Sequence, residues 1–185
     1  MDLQSLDAAA TSAVNHLAGL IPPLDALMIW TSLLGVPLLV LCVAGQWWRG
    51  PDRERRRHVL VVSGLAFLLG LALNQAILLA VHRIRPYDAG VTQLLIAPSA
   101  DPSFPSDHAT AAFAVAAAFL LHGWRRMGAW FLGAAFLLGL SRVWIGIHYL
   151  GDVAGGALTG FAAAALVRAL YREGTRADRL ITRLL

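Results

Sequence analysis

Three short polar stretches interrupt an otherwise apolar chain, and their side chains are of the kinds that handle a phosphate group. Each lies at or just beyond the end of a hydrophobic run. Arginine holds phosphate through paired donors, and histidine can attack phosphorus or protonate a leaving oxygen. The stretches are Arg85-Pro86, then Pro105-Ser106-Asp107-His108, then Ser141-Arg142 followed by His148 and Asp152.

His148 and Asp152 are four residues apart, which matches one turn of a helix. At that spacing the carboxylate is expected to accept a hydrogen bond from one ring nitrogen and leave a lone pair on the other. Such a histidine can attack phosphorus and carry the phosphoryl group covalently. The alternative is an interfacial histidine next to an aspartate that is the N-cap of the last hydrophobic helix. The pair alone does not decide between the two.

The other polar residues have similar pairs of interpretations. Ser106 is the predicted N-cap of the third hydrophobic run, whose free N–H groups would then face an anion. His108, in the first turn of that helix, is a candidate general acid or else a headgroup-level histidine without a partner. Arg85 and Arg142 end the second and fourth runs as phosphate-binding residues or as snorkelling anchors.

The composition indicates a membrane protein. Of 185 residues, 58% are hydrophobic and only 14% are charged, compared with about 25% charged in soluble domains. The net charge is +4 and every basic residue is arginine. The arginines cluster at the ends of apolar runs, which favours membrane lipids and not nucleic acid as the partner. The only cysteine, Cys42, excludes an intramolecular disulfide.

The hydrophobic pattern predicts an all-α, polytopic membrane helix bundle of about five transmembrane helices plus an N-terminal amphipathic helix. We expect residues 1–22 to form this helix on the membrane surface, or else to pack within the protein. Residues 23–172 would form the transmembrane domain and residues 173–185 a basic cytoplasmic tail. The predicted spans are residues 24–47, 58–81, 109–121, 129–145 and 153–170.

The arginines also predict an orientation, because basic loops remain in the cytoplasm. Three clusters fall on one side of the predicted bundle: between spans one and two, between spans three and four, and after span five. All three polar stretches fall on the opposite side. They are therefore expected to converge there and to face away from the cytoplasm.

A metal site is the competing use of such residues. Divalent phosphatase sites draw on several carboxylates, whereas here the outward carboxylates lie scattered among arginines. We therefore predict catalysis without a metal or another cofactor. Hydrogen bonding between helices is the expected role of Asn74 and Gln75, and close helix packing that of Gly155, Gly156 and Gly160. His16, His58 and His122 are interpreted as surface or interfacial residues.

The three stretches resemble the ordered signature motifs of the type 2 phosphatidic acid phosphatase superfamily, which are membrane lipid phosphate phosphatases. The resemblance runs from about residue 74 to residue 156, and the third motif is complete from Ser141 to Asp152. It implies that His148 is the nucleophile, Asp152 its orienting partner and His108 the general acid. The implied phosphate-binding residues are Arg85, Ser106 and Arg142.

Two positions depart from the common motifs of that family. Leu78 stands where the first motif has a lysine, and our hypothesis is that His82 or Arg83 supplies the missing charge. Asp107 stands where the second motif has a glycine. A carboxylate beside a bound phosphate is unfavourable unless it points away or is protonated. We therefore expect Asp107 to cap the third span or to bind an arginine, and we keep it as a further candidate for phosphate binding.

The string from Ala100 to Thr110, the Asn74-Gln75 pair and Leu78 are similar to the subgroup that hydrolyses undecaprenyl diphosphate. This resemblance implies a multi-pass enzyme of the bacterial inner membrane, with its site facing the periplasm or cell exterior. It would recycle the lipid carrier of cell-wall synthesis through a phosphohistidine. The open alternatives are a phosphatidylglycerol phosphate or phosphatidic acid phosphatase, a lipid phosphotransferase, and a non-catalytic flippase or membrane assembly partner.

Overall fold

The computed structural model describes residues 2–49 and 51–184, and all regular secondary structure in these two segments is helical. The predicted all-α membrane bundle is confirmed. In chain order the helices are α1 (Leu3–Asn15), α2 (Pro22–Ala44), α3 (Arg53–Leu78), α4 (Asp107–Leu121), α5 (Arg125–Trp144), α6 (Leu150–Leu170) and α7 (Arg176–Leu184).

Among the described residues, four helices are long and apolar enough to cross a membrane: α2, α3, α5 and α6. The third predicted span is shorter. Helix α4 has 15 residues, so at 1.5 Å per residue it is about 22 Å long, against about 30 Å for the hydrocarbon core of a bilayer. The five predicted spans are therefore four helices of spanning length and one short apolar helix.

The short helix α4 lies at the centre of the bundle, in contact with α3, α5 and α6. Nearly every side chain from Ala109 to Phe119 is buried. A Cβ atom at Gly156 would lie 2.5 Å from the Ser106 carbonyl oxygen, and one at Gly160 would lie 2.6 Å from that of Thr110. The predicted packing role of these two glycines is confirmed. Their close approach packs the N-terminal part of α4 against the second and third turns of α6.

Helix α1 is attached to the rest of the protein through its polar face. Thr11 and Asn15 are buried. Thr11 Oγ1 accepts a hydrogen bond from the backbone N–H of Leu150 at 3.0 Å, and Asn15 Nδ2 donates to the Trp144 carbonyl at 2.7 Å. Leu3 and Leu6 are 87% and 48% exposed. The polar face of α1 therefore packs within the protein, as the second of the two alternatives predicted. The exposed leucines form the apolar face that a helix on the membrane surface requires.

The predicted basic tail contains an ordered helix, α7, that folds back onto α3. Arg57 Nη1 donates to the Thr182 carbonyl at 2.7 Å. His58 Nδ1 lies 2.9 Å from Asp178 Oδ1, and its ring stacks on that of Tyr171 with centroids 5.2 Å apart. His58 is only 1% exposed. This burial contradicts the interpretation of His58 as a surface residue. The sequence could not show its partner, because Asp178 lies 120 residues further along the chain.

Candidate active site

A polar cavity of about 200 Å³ opens at the end of the bundle where α4 and α6 begin, which we call the motif end. Side chains from all three polar stretches line it, so the predicted convergence is confirmed. Helix α3 contributes its last turn to the wall. The lining side chains include Gln75, Leu78, Arg85, Asp107, His108, Arg142 and His148.

The ring of His148 is held in one orientation and one tautomer. Its Nδ1 atom lies 2.8 Å from the carbonyl oxygen of Ser103. Since a carbonyl oxygen only accepts, Nδ1 carries the hydrogen and Nε2 keeps its lone pair. The side chain is buried yet lines the polar cavity. A fixed neutral imidazole with a free lone pair is the form that a nucleophilic histidine requires.

The contact between Asp152 and His148 is less direct than their spacing predicted. Asp152 Oδ2 lies 3.5 Å from His148 Nδ1, longer than an ordinary hydrogen bond. Helix α6 begins only at Leu150, so His148 lies outside it and four residues do not correspond to one turn. The alternative was also wrong in position, because the N-cap is Tyr149. Asp152 instead accepts the backbone N–H of that residue at 2.8 Å.

Ser103 connects the two residues, and the sequence analysis missed it. Its carbonyl accepts from His148, as described above, and its hydroxyl donates to Asp152 Oδ2 at 2.5 Å. Ser103 is completely buried. The only signal in the sequence was its place in the string from Ala100 to Thr110. A serine before Phe-Pro is typical of an ordinary turn. Its contacts with His148 and Asp152 could therefore be recognised only from the structure.

Arg85 and Arg142 enter the cavity without a carboxylate partner. Arg85 donates from Nε to the Asp101 carbonyl at 2.8 Å and from Nη1 to the Ile147 carbonyl at 3.0 Å. Arg142 donates from Nη1 to the hydroxyl of Ser32, and its buried Nε has no partner. Within the described part of the chain neither guanidinium forms an ion pair. A buried charge without a counter-ion is costly, so the cavity favours an anion.

At the start of α4 the N-cap predicted at Ser106 is confirmed, and the capping or arginine-binding role predicted for Asp107 is wrong. Ser106 is the N-cap, with its Oγ accepting from the N–H of Ala109 at 3.5 Å. Asp107, however, neither caps the helix nor binds an arginine. Its Oδ1 accepts from Asn74 Nδ2 at 2.7 Å. Asn74 also donates to Thr110 Oγ1 at 2.8 Å, which confirms its predicted role between helices.

Leu78, which stands at the lysine position of the family motif, forms part of the cavity wall. Neither His82 nor Arg83 places a positive charge there in its stead. His82 is exposed, and neither residue is among the side chains that line the cavity. Arg83 instead donates to Asp152 Oδ1 and to Asp7 Oδ2, both at 2.7 Å. The hypothesis that either residue replaces the lysine therefore finds no support in this structure.

Burial shifts the ionisation of the loop residues that form the cavity. It lowers the pKa of His148 and also that of Arg85, because a buried site disfavours the charged form of each. Neighbouring Asp152 acts in the opposite direction on His148 but does not reverse the shift. The neutral form of His148 is thus favoured, and its lone pair is available.

The free enzyme should accordingly show a His148 ring that titrates below the ordinary histidine value of about 6.5. The measurement is a pH titration of ¹³Cε1 shifts by NMR on detergent-solubilised protein, with the resonance assigned from its loss in His148→Gln. Because the folded pKa is lowered, this group destabilises the fold as the pH falls below the unfolded value. A midpoint at or above 6.5 would contradict the prediction.

Comparison with known families agrees with this geometry. A model of the PAP2 superfamily matches residues 59–176. The chain belongs to the PAP2 superfamily. It is also 36% identical over 132 residues to undecaprenyl-diphosphatase BcrC of Bacillus subtilis (strain 168), a match that covers 71% of this chain and 67% of that protein.

Two solved structures share the fold. The PAP2-type phosphatidylglycerolphosphate phosphatase of Bacillus subtilis superposes with a TM-score of 0.70 and 25% identity, over 94% of this chain and 88% of that one. LpxE of Aquifex aeolicus gives 0.69 and 25%, over 86% and 92%. The protein is therefore a PAP2 membrane phosphatase, and His148, His108, Arg85 and Arg142 occupy one cavity of it.

Proposed function

We propose that this PAP2 phosphatase hydrolyses undecaprenyl diphosphate to undecaprenyl phosphate and inorganic phosphate through a phosphohistidine. One observation carries the proposal: two buried arginines without counter-ions share a small cavity with His148, whose Nε2 has a free lone pair. The cations attract a polyanionic headgroup, and the lone pair can attack it. A site with only one of these features would bind or transport an anion without cleaving it.

In the first step, His148 Nε2 attacks the terminal phosphorus, and the bond from phosphorus to the bridging oxygen breaks. His108 donates a proton to that oxygen as undecaprenyl phosphate leaves. Arg85, Arg142 and the free N–H groups at the start of α4, which Ser106 caps, stabilise the charge on the equatorial oxygens. In the second step, His108 accepts a proton from water, and the resulting hydroxide attacks the phosphohistidine, releases inorganic phosphate and frees His148.

The identity with BcrC of Bacillus subtilis, which is named as an undecaprenyl-diphosphatase, supports the choice of lipid. The second candidate is phosphatidylglycerol phosphate, which the structural similarity to a phosphatase of that lipid favours. Both substrates present a terminal phosphate to the same groups. The difference between them lies in the leaving group and the tail, which contact other parts of the bundle.

The lipid tail is proposed to lie in an apolar groove of about 350 Å³ between α2 and α3, with Val115 of α4 on its floor. On α3 the groove is lined by Gly64 and Leu68. Gln75 and Leu78, which line the polar cavity, follow on the same face of this helix at intervals of three to seven residues. A tail in the groove would therefore lead its headgroup along α3 into the cavity.

The proposed orientation places the motif end outside the cytoplasm of a bacterial inner membrane. The helix ends opposite the cavity carry the arginine clusters that follow α2, begin α5 and follow α6, which supports this assignment. A site on that face would act on lipid carrier left there after export of cell-wall precursors, and its product would be the carrier monophosphate.

The mechanism is proposed to need no metal. Arg85 and Arg142 neutralise the phosphate oxygens, and His108 handles the leaving group, so each role of a divalent ion is filled. Among the described residues, no group of three or more His, Cys, Asp or Glu side chains is placed to hold a metal ion. This arrangement supports the proposal that the protein's own cations supply the charge.

The decisive experiment is phosphate release from undecaprenyl diphosphate by the purified protein with a strong chelator present. We expect kcat/KM to be unchanged by the chelator and at least ten times that for phosphatidylglycerol phosphate. Higher activity on phosphatidylglycerol phosphate would be consistent with the proposed mechanism but would contradict the proposed substrate. Phosphate found on an added lipid acceptor would indicate a phosphotransferase. No turnover of either lipid would favour a flippase or an assembly partner.

A further inference from the structure

A chain of charged side chains connects helix α1 with the carboxylate behind His148. Arg83 lies in the middle of it, with one guanidinium nitrogen 2.7 Å from Asp152 Oδ1 and another 2.7 Å from Asp7 Oδ2. Asp152 is completely buried. Its Oδ2 accepts from Ser103 and from the N–H of Tyr149, so Arg83 is the cation that compensates its charge.

Arg83 also contacts Ser103, which holds the ring of His148, and Tyr149, which follows His148 in the chain. Its own carbonyl accepts the N–H of Ser103 at 2.8 Å, and the carbonyl of Ser103 in turn accepts from His148. Its guanidinium carbon lies 3.8 Å from the centre of the Tyr149 ring, in cation–π geometry. Burial alone would lower the pKa of Arg83, but Asp7 and Asp152 outweigh this effect and raise it, so the cation is permanent.

Asp7 fixes Arg83 from the N-terminal helix. Its Oδ2 receives the guanidinium, and its Oδ1 accepts the N–H of Gly151 in the first turn of α6 at 2.8 Å. A Cβ atom at position 151 would lie 2.5 Å from Asp7 Oδ2, so a side chain at this position would displace the Asp7 carboxylate. One carboxylate therefore holds both Arg83 and the helix turn that carries Asp152.

We propose that Asp7 and Arg83 are positioning residues of the reaction, and that α1 is thereby a part of the active site. This inference rests on the proposed function, in which His148 is the nucleophile. Neither residue lines the cavity, so neither touches the substrate. They act through Asp152 and Ser103, which fix the imidazole in the tautomer and direction needed for attack.

The test uses the full chain with Asp7→Asn, Arg83→Gln and the double variant. Each single change is expected to lower kcat about 10- to 100-fold, as for other groups that orient a reacting side chain. KM should stay within about threefold, because the phosphate contacts are untouched. The double variant should lose little more than Arg83→Gln alone, since both act through one contact chain. Arg83→Lys and Asp7→Glu should recover part of the loss.

A matched control separates positioning from the simple docking of α1. Asn15→Ala removes three hydrogen bonds that attach α1 elsewhere, two with the backbone of Gln93 and one with that of Trp144, and leaves the Asp7–Arg83 pair in place. It should lower the thermal midpoint without lowering kcat. If Asn15→Ala lowers kcat as much as Asp7→Asn, or if the two single losses multiply fully in the double variant, the proposal is overturned.

A spectroscopic measurement covers variants that fold poorly and identifies which hypothesis has failed. In wild type the ¹⁵N shifts of His148 should show a single tautomer with hydrogen on Nδ1. In Arg83→Lys and Asp7→Glu that signal should broaden or mix with the other tautomer, and an unchanged signal would refute positioning. An active His148→Ala would instead refute the proposed mechanism, whereas inactive His148→Ala beside fully active Asp7 and Arg83 variants would refute positioning alone.

Discussion

Replacement of His148 by alanine should reduce turnover of the lipid diphosphate on the order of 10⁴-fold or more, as for the loss of other enzyme nucleophiles. Alanine removes the imidazole that lines the cavity with Nδ1 bound to a carbonyl and a lone pair on Nε2. In the proposed mechanism water cannot simply take its place, because the phosphate oxygens would be held for attack from the side of this ring. The measurement is kcat/KM for undecaprenyl diphosphate in detergent micelles.

The covalent step can be observed directly in the same experiment. With substrate labelled in its terminal phosphate, an alkaline quench should trap label on wild-type protein, since phosphohistidine survives alkali. His148→Ala should show none. His16→Ala is the matched control, because His16 is an exposed histidine at the same end of the bundle and should retain full activity. Labelled protein in the His148→Ala sample would place the nucleophile elsewhere.

The architecture and the meeting of the motifs could be predicted because both follow from long-range regularities of the chain. Apolar runs of membrane length identify the helices. The arginine clusters in alternate loops mark one side of the bundle, and so determine which loops lie together on each side. Once Arg85, His108 and His148 fall at the same end, a bundle has little room to keep them apart. The observed cavity shows this directly.

The fine structure of the site depends on details that spacing does not encode. The predicted contact of Asp152 with His148 assumed that both lie in one helix, but α6 begins two residues after the histidine. With His148 outside the helix, its Nδ1 atom contacts a backbone carbonyl instead, that of Ser103. Backbone acceptors carry no sequence signal, since every residue has one.

Contacts between distant segments were equally invisible. Asp7 and Arg83 are separated by 76 residues, and His58 and Asp178 by 120. Helical periodicity identified the face of α1 that carries its apolar residues but not what its polar face would contact. Such pairs are decided by tertiary packing, and a single sequence without an alignment gives no covariation from which to infer them.

Replacement of Arg142 by methionine should have opposite effects on activity and stability. Arg142 is 7% exposed, has one hydrogen bond to Ser32 and forms no ion pair in the described part of the chain. Methionine of similar length removes a buried charge and leaves only one hydroxyl unpaired. We expect kcat/KM to fall about 10³-fold and the thermal midpoint of the empty protein to rise. A gain of about 1 kcal/mol corresponds to roughly 2–4 °C at this size.

Arg85→Met is the matched comparison, because this guanidinium lines the same cavity but is held by backbone carbonyls. Its removal leaves the carbonyls of Asp101 and Ile147 without donors, each costing about 1–3 kcal/mol. Arg85→Met should therefore lose both activity and stability. If both variants melt at the same lower temperature, the two arginines are equivalent structural residues and the idea of an uncompensated charge at Arg142 is wrong.

Orthovanadate gives the third measurement of this experiment, because it mimics the phosphorus centre under attack. An anion that binds only the folded protein raises its stability by about 2.7 kcal/mol at a hundred times its Kd. Wild type should show this rise, and Arg142→Met should show little of it while melting above wild type without the anion. Such a reversal, in which the variant melts higher without the anion and wild type melts higher with it, is expected only if the buried charge of Arg142 destabilises the fold and a bound anion compensates that charge.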